Sequence, residues 1–474
     1  MSDWLDAEAH AHKAQEMYQR GRWAEAEAEL RKALSLNPDH AEWHYNLGLT
    51  LEAAGRDADA LASYERATTL MPDEVDPMLA AAVTSNRLGQ HEQALKWLER
   101  VLRLDQHSEV AHAQRIDALW RIGHHEEAET AFYLAQQTLK EPSAACLAAM
   151  AESLIVRGLF QRAEWCLKEA MRLEPSMPRL RARLAAVSAA TDKPQRALQL
   201  YLRELREDPG NIVTLLEYGT LLRDLGRAPE AVEKFRRVLE LEPANVEAHY
   251  ELGRIAMESH RYEQAHLEYE LILKLDSQFP GIHMAVGEAL LRRGRIDDAR
   301  EHLIEEHEHL RATEIERNEQ VAAQRAKSAA DDPQPDEADS SMYTADPAAL
   351  GDLLLESGEP ARAAELFEIA LRSRSDHPDL LRQLALARFR AGDREGGVAI
   401  SRRVLRLDPN CLRSMHNLAL AALEEGRIRT AAGWVWRGLR VNRHDADLRR
   451  LRMRVFAGLF KESWRRLIGR RRGT

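Results

Sequence analysis

Small, apolar and charged residues recur along the chain in a pattern typical of paired helices. One copy, from His44 to Pro72, reads HYNLGLTLEAAGRDADALASYERATTLMP. It predicts one helix, a turn marked by Gly55, a second helix and a stop at Pro72. Glycine adopts the left-handed conformation that ends a helix without the steric penalty of a Cβ atom, and proline cannot continue a helix. The segment is therefore predicted to form a helical hairpin.

The hairpin pattern repeats with a period of 34 residues. The turn glycine keeps this spacing except for a one-residue shift and one longer break, and Asp192 and His260 occupy two of its slots. An alanine follows five residues later in every unit but one, where Gly397 replaces it. The turn glycines are Gly21, Gly55, Gly89, Gly123, Gly158, Gly226, Gly294, Gly358, Gly392 and Gly426. Twelve units in one phase predict a helical repeat array.

Positions within the unit have predicted mechanical roles. We number the unit so that Ala41 is position 1 and the turn glycine is position 15. Glycine at position 8, such as Gly48, and alanine at position 20 are predicted to be small because two helix axes cross closely there. A large residue at position 24, such as Tyr64, is predicted to fill the gap between hairpins.

These markers define the tetratricopeptide repeat, which the chain resembles over about residues 7–445. HYNLG at His44–Gly48 and HYELG at His249–Gly253 resemble the family's helix A signature, with its usual Trp shifted to Trp43 or replaced by His. The resemblance implies an all-α, right-handed superhelical solenoid of antiparallel helix hairpins. It also implies a concave groove, lined by the first helix (helix A) of each unit, that binds extended or helical segments of partner proteins.

The units are predicted to form two blocks. Residues 1–313 hold about nine repeats, and the second helix of the ninth is expected to continue as one long polar helix, because no Gly or Pro interrupts it after Gly294 until Pro333. Residues 314–343 are predicted to be a helical extension and a disordered acidic linker, since Asp331–Met342 has five acids and two prolines. Residues 344–445 hold about three further repeats.

Composition and the apolar runs indicate which classes of protein the sequence does not fit. The 474 residues carry a net charge of −10, and the three cysteines, Cys146, Cys166 and Cys411, show no CxxC spacing. They predict neither a disulfide framework nor a zinc site, and they suit a reducing compartment. The N-terminus lacks the features of a signal peptide, and no apolar run approaches the ~20 residues of a membrane span. We therefore expect a cytoplasmic protein.

Residues 446–474 differ in charge from the rest, with ten Lys or Arg against Asp447 and Glu462. An apolar stripe runs along this predicted helix. Three interpretations stay open: a helix that caps the last hairpin, an amphipathic helix on an anionic membrane, and contact with nucleic acid or an acidic protein surface. The candidate residues for membrane or acidic-partner contact are Arg465, Arg466, Arg470, Arg471 and Arg472.

The groove holds the candidate partner-binding residues. In this fold, positions 2, 5, 9, 12 and 13 of helix A face the concave side, and aromatic residues beside arginines are typical of binding hot spots. The candidates are Tyr45, Asn46, Trp120, Arg121, Tyr250, Arg254, Met257, Arg382, Phe389 and Arg390. The alternative for position 12 is that a bulky residue there is half-buried packing between adjacent A helices.

Two groove motifs of the family are missing. The chaperone carboxylate clamp would need residues of three units, but only Asn46 matches, with Ala11 and Gln15 before it and Asp76 and Ala80 after it. The asparagine ladder of the O-GlcNAc transferase family is also reduced, to Asn46 and Asn417.

No catalytic, cofactor-binding or metal-binding residue is predicted. The sequence has no nucleotide-binding loop, GxSxG, HExxH or GxGxxG motif. His302, His307 and His309 suggest a metal site, but their spacing does not place three imidazoles on one helical face, and a solvated polar helix explains them more simply.

We therefore expect a non-enzymatic adaptor that binds protein partners in its groove. Two alternatives remain: a peripheral membrane scaffold anchored by the basic C-terminal helix, and an RNA-binding helical repeat protein. The acidic charge of the repeats disfavours the second because it repels phosphates.

Overall fold

The computed structural model describes residues 2–327 and 345–471, and it shows helices without a strand over those residues. Contacts divide the chain into two compact units, Met1–Lys234 and Phe235–Thr474. The first unit contains α1 (Ser2–Gln19), α2 (Trp23–Leu36), α3 (Ala41–Ala53), α4 (Asp57–Leu70), α5 (Val75–Arg87), α6 (His91–Leu104), α7 (Glu109–Arg121), α8 (His125–Thr138), α9 (Ala144–Val156), α10 (Phe160–Leu173), α11 (Leu180–Ala190), α12 (Pro194–Glu207) and α13 (Ile212–Asp224).

The boundary between the units falls within α14 (Ala228–Leu241). The second unit continues with α15 (Val246–Glu258), α16 (Tyr262–Leu275), α17 (Ile282–Arg292), α18 (Ile296–Lys327), α19 (Pro347–Ser357), α20 (Pro360–Ser373), α21 (Pro378–Arg390), α22 (Arg394–Leu407), α23 (Leu412–Glu424), α24 (Ile428–Val441) and α25 (Ala446–Arg471). Odd-numbered helices through α23 are the A helices. The predicted all-α array of helix hairpins is confirmed.

The turn chemistry that the sequence predicts is also confirmed. Every turn glycine named above has a positive φ, between 69° and 94°. Asp192 and His260, which replace glycine in two turns, adopt the same left-handed conformation with φ of 57° and 58°. The fold therefore imposes this conformation on the slot even where a side chain disfavours it.

The residue at position 24 packs against the glycine at position 8 of its own hairpin. A Cβ atom built on Gly48 would overlap the ring of Tyr64, and the same relationship joins Gly253 to Tyr269. The close crossing predicted at position 8 is confirmed. The large side chain fills this space inside its hairpin and also joins the core shared between hairpins, where Tyr64 packs with Leu30 and Ala81.

Successive hairpins of the first unit stack through the second helix of one and the first of the next. Such contacts join α2 to α3, α4 to α5 and α6 to α7. Trp43, Leu47 and Tyr64 share one apolar core with Leu30 of the preceding hairpin. Because each hairpin buries an apolar face only against its neighbours, the repeats stabilise one another.

In the second unit, α18 is the long polar helix that the sequence predicts, and α19 and α20 pack directly against it. Leu303 of α18 shares a core with Leu354 and Phe367, and Arg300 Nε donates to the Ser357 carbonyl at 3.0 Å. Contacts therefore run across the predicted boundary at 314–343. The four-part division of the chain stays a prediction, and its acidic linker, Asp331–Met342, lies outside the described residues.

The basic C-terminal helix α25 covers the last hairpin. Leu448, Leu451 and Val455 are buried, and α25 contacts both α24 and α23. This packing uses much of the predicted apolar stripe and favours the capping interpretation. Arg472 and the side chains of the other four candidate arginines of this segment, Arg465, Arg466, Arg470 and Arg471, lie outside the described residues.

Two further properties concern membrane crossing and the reactivity of the cysteines. Among the described residues, none of the helices has both the length and the apolar character to cross a bilayer. Cys146, Cys166 and Cys411 are buried free thiols, and burial raises the pKa of Cys146 and Cys166 to about 11. Both of these thiols therefore stay protonated and unreactive at neutral pH.

Candidate functional site

The A helices of neighbouring hairpins lie side by side. In the first unit α7 contacts α5 and α9, and in the second α19 contacts α17 and α21. Positions 2, 5, 6, 9, 12 and 13 of these helices make up what we call the A-helix face. The sequence assigns partner binding to this face.

A cleft of about 310 Å³ opens on the A-helix face of the second unit, between α21, α23 and the start of α25. We call it the polar cleft. Positions 2, 5 and 6 of two successive A helices line it, together with the first residues of α25. Its lining includes Asp379, Arg382, Gln383, Leu386, Arg413, His416, Asn417, Asp445 and Asp447. The structure therefore brings the predicted residue Arg382 together with side chains that the sequence analysis did not select.

Internal contacts occupy part of the polar cleft. Arg382 forms an ion pair with Asp379, and Gln383 Nε2 donates to Asp352 Oδ1 at 2.9 Å. Burial raises the pKa of Asp352. Asp445 caps α25, because its Oδ1 accepts a hydrogen bond from the Leu448 N–H at 2.9 Å. These contacts fix the walls of the cleft.

Three other side chains of the polar cleft are available to contact a ligand. Within the part of the chain that the structure describes, Arg413, His416 and Asn417 have no side-chain hydrogen bond or ion pair. They offer a cationic donor, an imidazole and an amide, which suit carboxylate and peptide groups. The sequence signal that identifies them is register, since His416 occupies the same position 5 as Arg382.

In the first unit, Trp120 and Arg121 form a fixed pair at the end of α7. Trp120 Nε1 donates to Asp117 Oδ1 at 3.0 Å, and Arg121 Nε donates to Asp117 Oδ2 at 2.9 Å. The guanidinium carbon of Arg121 lies 4.8 Å from the centroid of a Trp120 ring, which is cation–π geometry. Trp120 is half-buried and Arg121 is exposed, so the pair presents one aromatic and cationic surface.

Tyr45 and Asn46 lie near the N-terminal end of the A-helix face. Asn46 lines a small groove between α1 and α3 with Gln15 and Tyr18. Tyr45 is half-buried, with its ring centroid 5.8 Å from that of Tyr64, and burial raises its pKa. The two neighbours therefore differ, because Asn46 lines the groove and Tyr45 packs on the core.

The predicted residues of α15 make packing and hydrogen-bond contacts within the second unit. Tyr250 lies between Tyr269 and Phe279, with ring centroids 5.7 and 5.5 Å away. Arg254 Nη1 donates to the buried Glu251 at 3.2 Å, and Met257 packs on the same core as Tyr250. The contacts of Met257, at position 12, favour the packing alternative, and Tyr250 and Arg254 also make internal contacts.

Phe389 and Arg390 of α21 also make internal contacts. The Phe389 ring occupies the space that a side chain at Gly397 would fill, which explains why glycine replaces the usual alanine in this unit. Arg390 Nη1 donates to the Leu355 carbonyl at 3.3 Å. Both residues stay predictions for partner binding, but half-buried Phe389 has a packing role.

Aromatic residues on the opposite face of the first unit were not selected from the sequence. Tyr133 and Trp165 line a pocket of about 360 Å³ between α8, α9 and α10, and both are at least half-exposed. They occupy second-helix positions, where the family resemblance predicts no groove. No repeat position marks these residues. The feature that distinguishes them is a large aromatic side chain that is exposed in the structure.

Comparison with known proteins identifies the repeat in several parts of the chain. One tetratricopeptide repeat family model matches residues 13–75, 148–212 and 348–410, and two others match 222–286 and 281–303. A bacterial transcriptional activator domain model matches residues 76–142. No curated protein matches the chain by sequence.

Several solved structures are similar to parts or all of the chain. A tetratricopeptide repeat protein from Parabacteroides merdae is 15% identical, covering 60% of this chain and 99% of its own, with a TM-score of 0.40. Yeast Tom70 is 15% identical over 96% of each chain with a TM-score of 0.37. Pseudomonas aeruginosa pilF is 20% identical, covering 45% of this chain and 95% of its own, with a TM-score of 0.38.

Matches to the tetratricopeptide repeat models together span more than half of the sequence. They coincide with the hairpins that the structure describes. The chain belongs to the tetratricopeptide repeat family.

Proposed function

We propose that this protein is a non-enzymatic scaffold that binds an extended peptide segment of a partner protein on its A-helix face, with the polar cleft as a principal anchor. Tetratricopeptide repeats are generally protein-interaction modules, which supports the class of function. The finer assignment rests on one observation. Positions predicted to face a ligand converge in the polar cleft, where Arg413, His416 and Asn417 have no internal polar partner among the residues that the structure describes.

The chemistry of the cleft favours a peptide over a small apolar ligand. Asn417 offers both a donor and an acceptor, which match the N–H and carbonyl groups of an extended backbone. Arg413 offers a bidentate donor for a carboxylate of the peptide. The acidic side chains Asp379 and Asp445 are already engaged by Arg382 and by the start of α25, so they repel such a carboxylate less than free acids would.

The test uses the full chain as bait in native lysate, with bound proteins identified by mass spectrometry. We expect the double variant Arg413→Ala and Asn417→Ala to lose a defined partner that wild type enriches. The matched control is Arg402→Ala, an exposed arginine of the second helix α22, which should retain that partner. Equal capture by all three proteins would contradict the proposed role of the cleft.

A second candidate function rests on the outer surface of α25. Met453 and Phe460 are 65% and 68% exposed beside exposed arginines, so α25 retains apolar surface outside its contacts with α24. This arrangement is compatible with a peripheral contact to an anionic membrane. Flotation with phosphatidylserine vesicles tests it, because Met453→Ser with Phe460→Ser should reduce membrane binding without affecting capture of the protein partner.

A further inference from the structure

Two histidines and a glutamate converge between the helices of the ninth hairpin. His283 belongs to α17, and His302 and Glu305 lie one turn apart on α18. His283 Nδ1 lies 3.1 Å from His302 Nδ1 and 3.3 Å from Glu305 Oε2. The three potential ligand atoms all lie within 4.8 Å of one another.

The other hairpins show what is unusual here. Position 4 of the unit is histidine in four other units, and in two of these, the first and the eighth unit, it pairs with a glutamate at position 23. His10 meets Glu29 at 2.5 Å, and His249 meets Glu268 at 2.7 Å. In the ninth unit position 23 is His302, and Glu305 is added at position 26. Where the first and eighth hairpins hold a His–Glu pair, the ninth therefore holds a three-residue cluster with two imidazoles.

Two of the three ligand separations are close to those of a metal site. Zinc binds imidazole nitrogen and carboxylate oxygen at about 2.0–2.2 Å, which places two ligand atoms of a tetrahedral site about 3.3–3.5 Å apart. The two measured separations from His283 Nδ1 lie close to this range. Two imidazoles and one carboxylate are also a donor set that zinc uses in proteins, with the fourth position left to water or another ligand.

The surroundings prepare His283 as a ligand. It is only 7% exposed, so its imidazole is held between α17 and α18 and shielded from bulk water. The buried Glu306 accepts a hydrogen bond from the Met284 N–H at 3.3 Å, which fixes the first turn of α17. His309 lies beside the cluster, with its ring centroid 5.6 Å from that of His283.

We propose that His283, His302 and Glu305 form a binding site for a divalent transition-metal ion, Zn²⁺ in particular, that clamps α17 to α18. The sequence alone predicts no metal site, because the spacing of His302, His307 and His309 does not place three imidazoles on one face of their helix. His307, one of those, lies apart from the cluster, 3.3 Å from Glu365 of α20. The missing ligand comes from the neighbouring helix, at a repeat position where histidine is otherwise ordinary.

The clamp would act where the hairpins of the second unit meet. Arg300 and Leu303, which flank His302 on α18, contact α19 and the core shared with α20. Metal binding at α17 and α18 would therefore stabilise the support on which the tenth hairpin packs. This inference does not depend on the polar cleft, which is formed by other helices.

The test is metal binding by the untagged full chain after treatment with a chelator. We expect calorimetry with Zn²⁺ to show one tight equivalent, and Co²⁺ to give the intense visible absorption of a tetrahedral site. His302→Ala removes a half-exposed ligand and should weaken Zn²⁺ binding by at least about 100-fold, more than the loss of a supporting residue would. Glu305→Gln, at an exposed position, should also weaken it.

Glu268→Ala is the matched control, since it disrupts the equivalent pair of the eighth hairpin and should leave Zn²⁺ affinity unchanged. Zn²⁺ should raise the melting temperature of wild type and of the control, but not that of His302→Ala. Circular dichroism checks that each variant is folded. Unchanged affinity in His302→Ala, or wild type without a tight equivalent, would overturn the proposal and leave a hydrogen-bonded cluster only.

Discussion

The guanidinium of Arg121 lies over the indole of Trp120, 4.8 Å from a ring centroid, and Asp117 accepts a hydrogen bond from each of them. All three side chains belong to the last two turns of α7. Because one carboxylate orients both, little side-chain freedom remains to be lost when a partner binds. This preorganisation makes the pair the strongest candidate contact of the first unit.

We predict that Trp120→Ala combined with Arg121→Ala weakens partner binding about tenfold or more, as truncation of a hot spot does. The free energy of unfolding should change little, since Arg121 is exposed and Trp120 is half-buried. Titration of the purified partner against wild type and variant measures the first effect. Trp165→Ala, which truncates an exposed tryptophan on α10, is the control and should bind as wild type does.

Glycines at two helix positions should respond to alanine with opposite signs. Gly48→Ala places a methyl group into the ring of Tyr64, whose hydroxyl is held by Glu52 at 2.6 Å, so we expect a loss of about 1–3 kcal/mol. Gly433 of α24 has no atom within 4 Å of the added methyl group. Gly433→Ala should therefore stabilise by about 1 kcal/mol through helix propensity.

Urea denaturation of the two glycine variants and wild type measures both shifts. A Gly48→Ala protein as stable as wild type would show that the hairpin has room at position 8. That result would refute the close packing of positions 8 and 24.

His260 is a site where the repeat carries avoidable strain. Its φ of 58° is disfavoured for a side chain with a Cβ atom, and the glycine found in most other turns removes that cost. We expect His260→Gly to stabilise by about 0.5–1 kcal/mol, partly offset by the greater freedom of glycine in the unfolded chain. Asp192→Gly should gain less, because aspartate tolerates this conformation better. Thermal melts of both variants against wild type would detect either gain, and a destabilised His260→Gly would contradict the explanation.

The sequence predicts features formed by residues close together along the chain better than contacts between residues on different helices. The turns and the long α18 follow from local signals, since Gly55 and the Gly- and Pro-free run after Gly294 act within one hairpin. Other features depend on which side chains face each other across helices. They are the packing of Tyr64 on Gly48, the burial of Phe389 and the short distance between His283 and His302. A 34-residue period determines the register of such contacts but not which side chains complete them.

The same limit applies to the candidate site. The position of Arg382 in the unit predicts that it faces a ligand, and the residue lines the polar cleft. The same rule predicts that Tyr250 faces a ligand, yet its ring packs between those of Tyr269 and Phe279. Position alone therefore cannot separate a groove residue from a packing residue.

Stability at acidic pH should depend on Glu29. Hydrogen bonds from His10, Lys13 and Lys32 lower the pKa of Glu29 from 4.5 to about 2. Because the folded pKa lies below the unfolded value, its contribution is complete above about pH 4.5 and is lost as the pH falls towards 2. Allowing for screening of the exposed lysines, we expect a contribution on the order of 2 kcal/mol.

Glu29→Gln should therefore be less stable than wild type at pH 7, and the difference should shrink as the pH falls from 5 to 2. Denaturation midpoints across this range measure it. Glu25→Gln, which removes the carboxylate of an exposed ion pair with Arg22, is the control and should change stability little. A difference that stays constant with pH would show that Glu29 acts through packing alone.

Binding of a partner protein on the A-helix face at the polar cleft is tested most directly by photo-crosslinking. The crosslinker p-benzoylphenylalanine is placed at His416, inside the cleft, and in a second protein at Arg402, on the second helix of its hairpin. We predict that irradiation in native lysate gives a defined protein adduct from position 416 and none of that adduct from position 402. The same adduct from both positions, or from position 402 alone, would contradict binding in the cleft.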